Sequence, residues 1–105
     1  MVEILYHRDR HRVSVAGHAG GEIGQDLVCA SVTTLVYTLA TFVENMGVAG
    51  QVRYPTVKVK EGDAIISCDC ASRYKGGITL VFDSICAGFE LIARQYPEKV
   101  SYKMM

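Results

Sequence analysis

The chain has 105 residues, with 11 basic and 11 acidic side chains and a formal net charge of zero. That length fits one domain, residues 1–105. The balanced charge excludes the broadly basic composition of a general nucleic-acid binder. Half of the residues are hydrophobic, a high share for so short a chain, which favours burial of some apolar surface against a second copy.

The opening "MVEILYHRDR" lacks the long apolar run and small-residue cleavage site of a signal peptide, so the expected location is the cytoplasm. "VEILYH" at 2–7 is rich in strand formers, and "HRVSVAGH" at 11–18 alternates with Val13 and Val15 on one face. Together they predict an antiparallel hairpin. The basic "HRDRHR" at 7–12 between them reads as a solvated turn.

From Leu27 the period changes. Val28, Val32, Leu35, Leu39, Phe42 and Met46 recur at steps of four and three, one face of an amphipathic helix of about five turns. Asp26 stands at the N-cap position, and Gly47 is a natural stop. Threonines at helical spacing in the uncharged run Leu27–Val43 suit a globular helix, and no membrane partner is expected.

"QVRYPTVKVKEG" at 51–62 predicts a strand that turns at Glu61–Asp63, with Pro55 confining it to an edge or to a start after the proline. "AIISCDC" at 64–70 is its hairpin partner. "SRYKGG" reads as a connector, and a second helix is expected from about Ile78 to Tyr96, stopped by Pro97. Its apolar stripe is Ile78, Phe82, Ile85, Phe89 and Ile92, with Cys86 on the border, and "KVSYKM" is a candidate fifth strand. The order β-β-α-β-β-α, with that optional strand, predicts an α+β two-layer sandwich with a mostly antiparallel sheet and two helices.

The four cysteines (Cys29, Cys68, Cys70 and Cys86) are expected to be reduced thiols. Cys68 and Cys70 would share one face of a strand, but two thiols make only half a zinc site. Neither a metal nor a cofactor is expected.

"GHAGGEIGQDLVCA" at 17–30 holds four glycines, a histidine at a strand end and a cysteine in the first turn of a helix. A thiol in that turn sits in the positive field of the helix and loses its proton more easily. Amides of a first helical turn lack intrahelical partners and can receive the oxygen of a tetrahedral intermediate. Histidine is the side chain suited to exchange protons with such a nucleophile at neutral pH. The glycines would let the intervening loop open and close. Blander readings compete: Cys29 as a small buried apolar residue, His18 as polar filler, or the loop as a phosphate site without the P-loop lysine. Strict alternation along the second strand would also turn His18 away from the face of Val13 and Val15, unless a bulge or turn at Gly17 breaks it.

"GHAG", a short loop with "GQD", and "LVCA" resemble the ribosomal-processing cysteine protease family, Prp, and the likeness extends over nearly the whole chain. Members are small homodimeric bacterial endopeptidases that remove the N-terminal extension of large-subunit ribosomal protein number twenty-seven, cutting after an aromatic residue. The resemblance implies His18 as general base and Cys29 as nucleophile. It implies supporting places for Asp26, Ser31 and Thr33, and a substrate loop with Gly17, Gly20, Gly21 and Gly24. The loop is about one residue shorter than in typical members, and Thr33 stands where a serine is usual. The expected partners are the extension peptide and a second copy, with no direct nucleic-acid binding. The competing reading is a non-catalytic ribosome-associated module, with basic residues at 7–12, Lys58 and Lys60 touching RNA phosphates.

Overall fold

The computed structural model describes residues 1–18 and 27–105. The elements are β1 (Val2–His7), β2 (Arg12–Gly17), α1 (Leu27–Val48), β3 (Arg53–Lys60), β4 (Asp63–Asp69), α2 (Ser72–Gln95) and β5 (Val100–Met104). The five strands form one sheet in the order β3-β4-β2-β1-β5. Three neighbouring pairs are antiparallel, and β5 runs parallel to β1, with Val2 opposite Val100. The expected α+β architecture, candidate fifth strand included, is the observed one.

Strand parity builds the core. Val2, Ile4 and Tyr6 of β1, Val13 and Val15 of β2, and Ala64, Ile66 and Cys68 of β4 are all buried. They meet Val28, Val32, Val36, Leu39 and Val43 of α1 and Ile78, Phe82, Cys86 and Phe89 of α2. Each fully buried Val, Leu, Ile or Phe contributes about 1.5–3 kcal/mol relative to leaving it in water. Residues of the opposite parity, such as Glu3, Arg12, Lys58 and Lys103, are exposed, so the helices cover one face of the sheet. Both helices are long and apolar enough to cross a membrane by length and composition, yet each lays its buried stripe on the sheet.

Three local expectations need correction. α1 does not stop at Gly47 but passes through it to Val48. It ends in a Schellman pattern, with Gly50 at φ +74°. The Gln51 amide donates to the Met46 carbonyl at 2.9 Å, and the Gly50 amide donates to the Gly47 carbonyl at 3.1 Å. α2 begins at Ser72 rather than Ile78, so "SRYKGG" is its first turns. Tyr74 packs against the core there, and the Arg73 guanidinium lies 4.8 Å over the Tyr74 ring. That packing offsets the roughly 1 kcal/mol that each helical glycine costs. The buried side of α2 is also centred differently, on Cys86, while Ile85 and Ile92 are only half-buried.

The third correction concerns "HRDRHR". Arg8–Arg10 form an exposed 3-10 turn, but His11 is 4% exposed. A left-handed backbone, φ +45°, turns its ring inward. There the ring nitrogen Nε2 lies 2.6 Å from the Thr79 hydroxyl, and the ring centre lies 5.5 Å from that of Phe82. β3 is an edge strand as Pro55 requires, with an irregular register between Arg53 and Thr56.

Candidate active site

Gly17 closes β2 and sets the site. Its φ is +102°, and a Cβ there would collide with the Met1 carbonyl oxygen, so only glycine fits. Its amide donates to the Gly62 carbonyl at 2.9 Å, in the turn between β3 and β4. β2 pairs with β4 so that Ala16 lies opposite Asp63, which brings that turn to the end of β2. The positive φ at Gly17 breaks the alternation that would otherwise turn His18 away from the helices.

His18 comes next and is exposed to solvent. Cys29 is the third described residue of α1, half-buried and packed against the core. Both line one cavity of about 320 Å³. Its apolar wall is Val2, Val15, Val32, Val36 and Val59, and its rim carries Thr33 and Tyr37 from α1 and Lys60–Asp63 from the β3–β4 turn. Thr33 is thus at the cavity. Ser31 is not among the lining residues, and its hydroxyl donates to the Leu27 carbonyl at 2.7 Å. Asp26, Gly20, Gly21 and Gly24 lie outside the described residues.

Tyr37 and the β3–β4 turn had no place in the sequence-based site. The turn itself was legible in "KEGD", but its position beside His18 follows from the pairing of β2 with β4, which no local pattern carries.

A second polar cluster sits at the other end of β2. The Tyr6 hydroxyl donates to Asp83 Oδ1 at 2.8 Å, and Arg8 donates to both Asp83 oxygens, from Nε at 3.0 Å and from Nη2 at 3.0 Å. The Arg8 guanidinium holds the Asp83 carboxyl below the usual carboxylate range, with Tyr6 adding to the effect against a smaller opposing effect of burial. Burial, then Asp83, push the Tyr6 phenol up. Burial, then the Lys75 charge, lower His11.

No disulfide joins any of the four cysteines. Burial pushes the Cys86 thiol up to about 12 and the Cys68 thiol up to about 11, so neither is suited to nucleophilic work near neutral pH. Among the described residues, no three His, Cys, Asp or Glu side chains gather to hold a metal ion. What the cavity offers is a cysteine and a histidine on a partly apolar wall, the pair that acyl transfer by a thiol requires.

The sequence matches the family model described as cysteine protease Prp over residues 1–101. The chain belongs to the cysteine protease Prp family. It is accordingly a cysteine protease. No curated protein matches the sequence. Among solved structures, the chain is similar to the essential ribosomal processing protease Prp from S. aureus in complex with a covalently linked product peptide. That likeness has a TM-score of 0.75 at 19% identity and covers 99% of this chain and 97% of the other. The same S. aureus protease in complex with a substrate peptide gives a TM-score of 0.68 at 19% identity, covering 99% and 97%. SMU.848 from Streptococcus mutans gives 0.68 at 26% identity, covering 99% and 91%.

Proposed function

We propose that this Prp-family protease removes the N-terminal extension of a large-subunit ribosomal protein, number twenty-seven, in the cytoplasm and as a homodimer. Cys29 and His18 form its catalytic dyad. The observation that carries the dyad is that the two side chains, from the end of β2 and the start of α1, line the same cavity. The Cys29 thiolate attacks the carbonyl carbon of an aromatic residue, at the peptide bond that follows it. The C–N bond breaks as His18 protonates the leaving amine, and the thioester remains on Cys29. Water, deprotonated by His18, then attacks the thioester and releases the acid. Backbone amides at the start of α1 receive the oxyanion in both steps. The wall of Val2, Val15, Val32 and Val36 is the apolar surface against which an aromatic side chain would lie.

The test is incubation of the full chain with a fluorogenic peptide copied from the organism's own ribosomal-protein extension, beside Cys29→Ala and His18→Ala. Cleavage after the aromatic residue by the wild type, lost in both variants, is the expected result. Cleavage by Cys29→Ala at the wild-type rate would overturn the dyad. Binding of the peptide without cleavage by the wild type would overturn the substrate and leave a binding module on a protease fold.

A further inference from the structure

We propose that Gly62, in the β3–β4 turn, is a positioning residue for the His18 imidazole; the inference rests on the dyad proposed above. Gly62 touches the end of β2 at two points. Its carbonyl accepts the Gly17 amide at 2.9 Å. Its Cα faces the imidazole edge: a Cβ built on Gly62 would lie 2.6 Å from His18 Nε2 and 2.9 Å from Cε1. Real Cβ contacts essentially never come under 3.0 Å, so any side chain at 62 would drive the ring out of its place.

His18 follows the last residue of β2 and its side chain is solvent-exposed, so burial in the core does not fix its ring. The turn supplies that restraint from a distant part of the chain. A backbone hydrogen bond sets the height of the dipeptide Gly17–His18, and a bare Cα gives the ring a flat surface against which to rest. The geometry therefore makes Gly62 necessary for reasons of space as well as of backbone, since its φ of +75° already disfavours other residues. A ring displaced by about 1 Å would misplace the proton-transferring nitrogen, and a shift of that size costs on the order of 100-fold in rate.

The experiment must separate the contact from backbone strain, and the chain holds its own control. Gly50 has φ +74°, close to the value at Gly62, but a Cβ there meets nothing within 4 Å. It lies past the far end of α1, about 30 Å along the helix from Cys29. Gly62→Ala and Gly50→Ala thus carry similar strain, and only the first reaches the imidazole. Gly62→Asn keeps the new Cβ on a residue that tolerates the left-handed region, so it removes strain while retaining the clash.

For each full-length variant, three quantities are measured: melting temperature, kcat and KM on the fluorogenic peptide, and the pH dependence of Cys29 alkylation, read by mass spectrometry of the Cys29 peptide. Gly62→Ala and Gly62→Asn are expected to lose roughly 100-fold in kcat with KM within about threefold. Their alkylation curves should move toward that of His18→Ala. Gly50→Ala should melt like Gly62→Ala yet keep wild-type kcat and alkylation. If Gly62→Ala and Gly62→Asn keep kcat within threefold of Gly50→Ala, with wild-type alkylation curves, while His18→Ala is impaired, the positioning role is wrong and the dyad stands. If His18→Ala itself cleaves and alkylates like wild type, the dyad fails and takes the positioning role with it.

Discussion

Tyr6→Phe tests the polar cluster that ties β1 to α2. The ring is 1% exposed and stacks with Phe82 at a centroid distance of 6.2 Å, so the substitution leaves no cavity and removes only a hydroxyl. That hydroxyl donates to the Asp83 carboxylate at 2.8 Å. A hydrogen bond to a charged group is worth about 1.5–3 kcal/mol. The Asp83 side chain is 37% exposed and keeps its pairing with Arg8, so water replaces part of what is lost. The expected cost at pH 7 is therefore about 1–1.5 kcal/mol, or roughly 5–10 °C in melting temperature for a domain of this size. The pH dependence has a definite sign. Arg8 depresses the Asp83 carboxyl in the folded state, so its contribution is complete above the unfolded value of about 3.9 and is lost as pH falls through the lower folded one. Thermal unfolding followed by circular dichroism should show a constant gap between wild type and Tyr6→Phe from pH 7 to 5, narrowing only as pH falls through the depressed folded range of Asp83. Equal melting temperatures at pH 7, or a gap that widens as the pH falls, would refute the assignment.

Burial holds the His11 proton affinity below the ordinary histidine value. The unfolded chain therefore takes up a proton near pH 6.5 before the folded one does, and stability should fall as pH drops through that range. His11→Asn, which tolerates the left-handed backbone but cannot titrate, should flatten the melting temperature between pH 7.5 and 5.5; a decline equal to that of the wild type would contradict this. Cys68 and Cys86, with thiols pushed up to about 11 and about 12, should resist alkylation in the native protein at pH 8 and label on unfolding. Labelling of either at the rate of Cys70 would count against their burial.

The elements were legible because each face repeats at its own period. Val13 and Val15, or Phe82 and Phe89, reveal strand and helix without further help. The boundaries that moved did so for tertiary reasons. α2 reaches back to Ser72 because Tyr74 finds the core, and α1 runs past Gly47, which packs against Pro55 with a built Cβ 3.4 Å from its ring. His11 read as part of a solvated turn because nothing in "HRDRHR" announces a left-handed residue; the pocket that receives its ring is made by Thr79 and Phe82 on a distant helix. The site divides in the same way. His18 and Cys29 could be picked out as chemistry, but their sharing one cavity depended on a broken alternation at Gly17. That break is enforced by the Met1 carbonyl and the Gly62 turn, both remote in sequence.

The crowding of Met1 against Gly17 bears on how the protein can be handled. Val2 lines the cavity shared by His18 and Cys29, so a purification tag or fusion partner joined ahead of Met1 would leave the chain beside that cavity and, under the proposed function, would interfere with peptide entry. The other terminus leaves the sheet elsewhere: the Met105 amide bonds the Tyr6 carbonyl at 2.8 Å, at the opposite end of β1. Labels, surface tethers and affinity handles belong there.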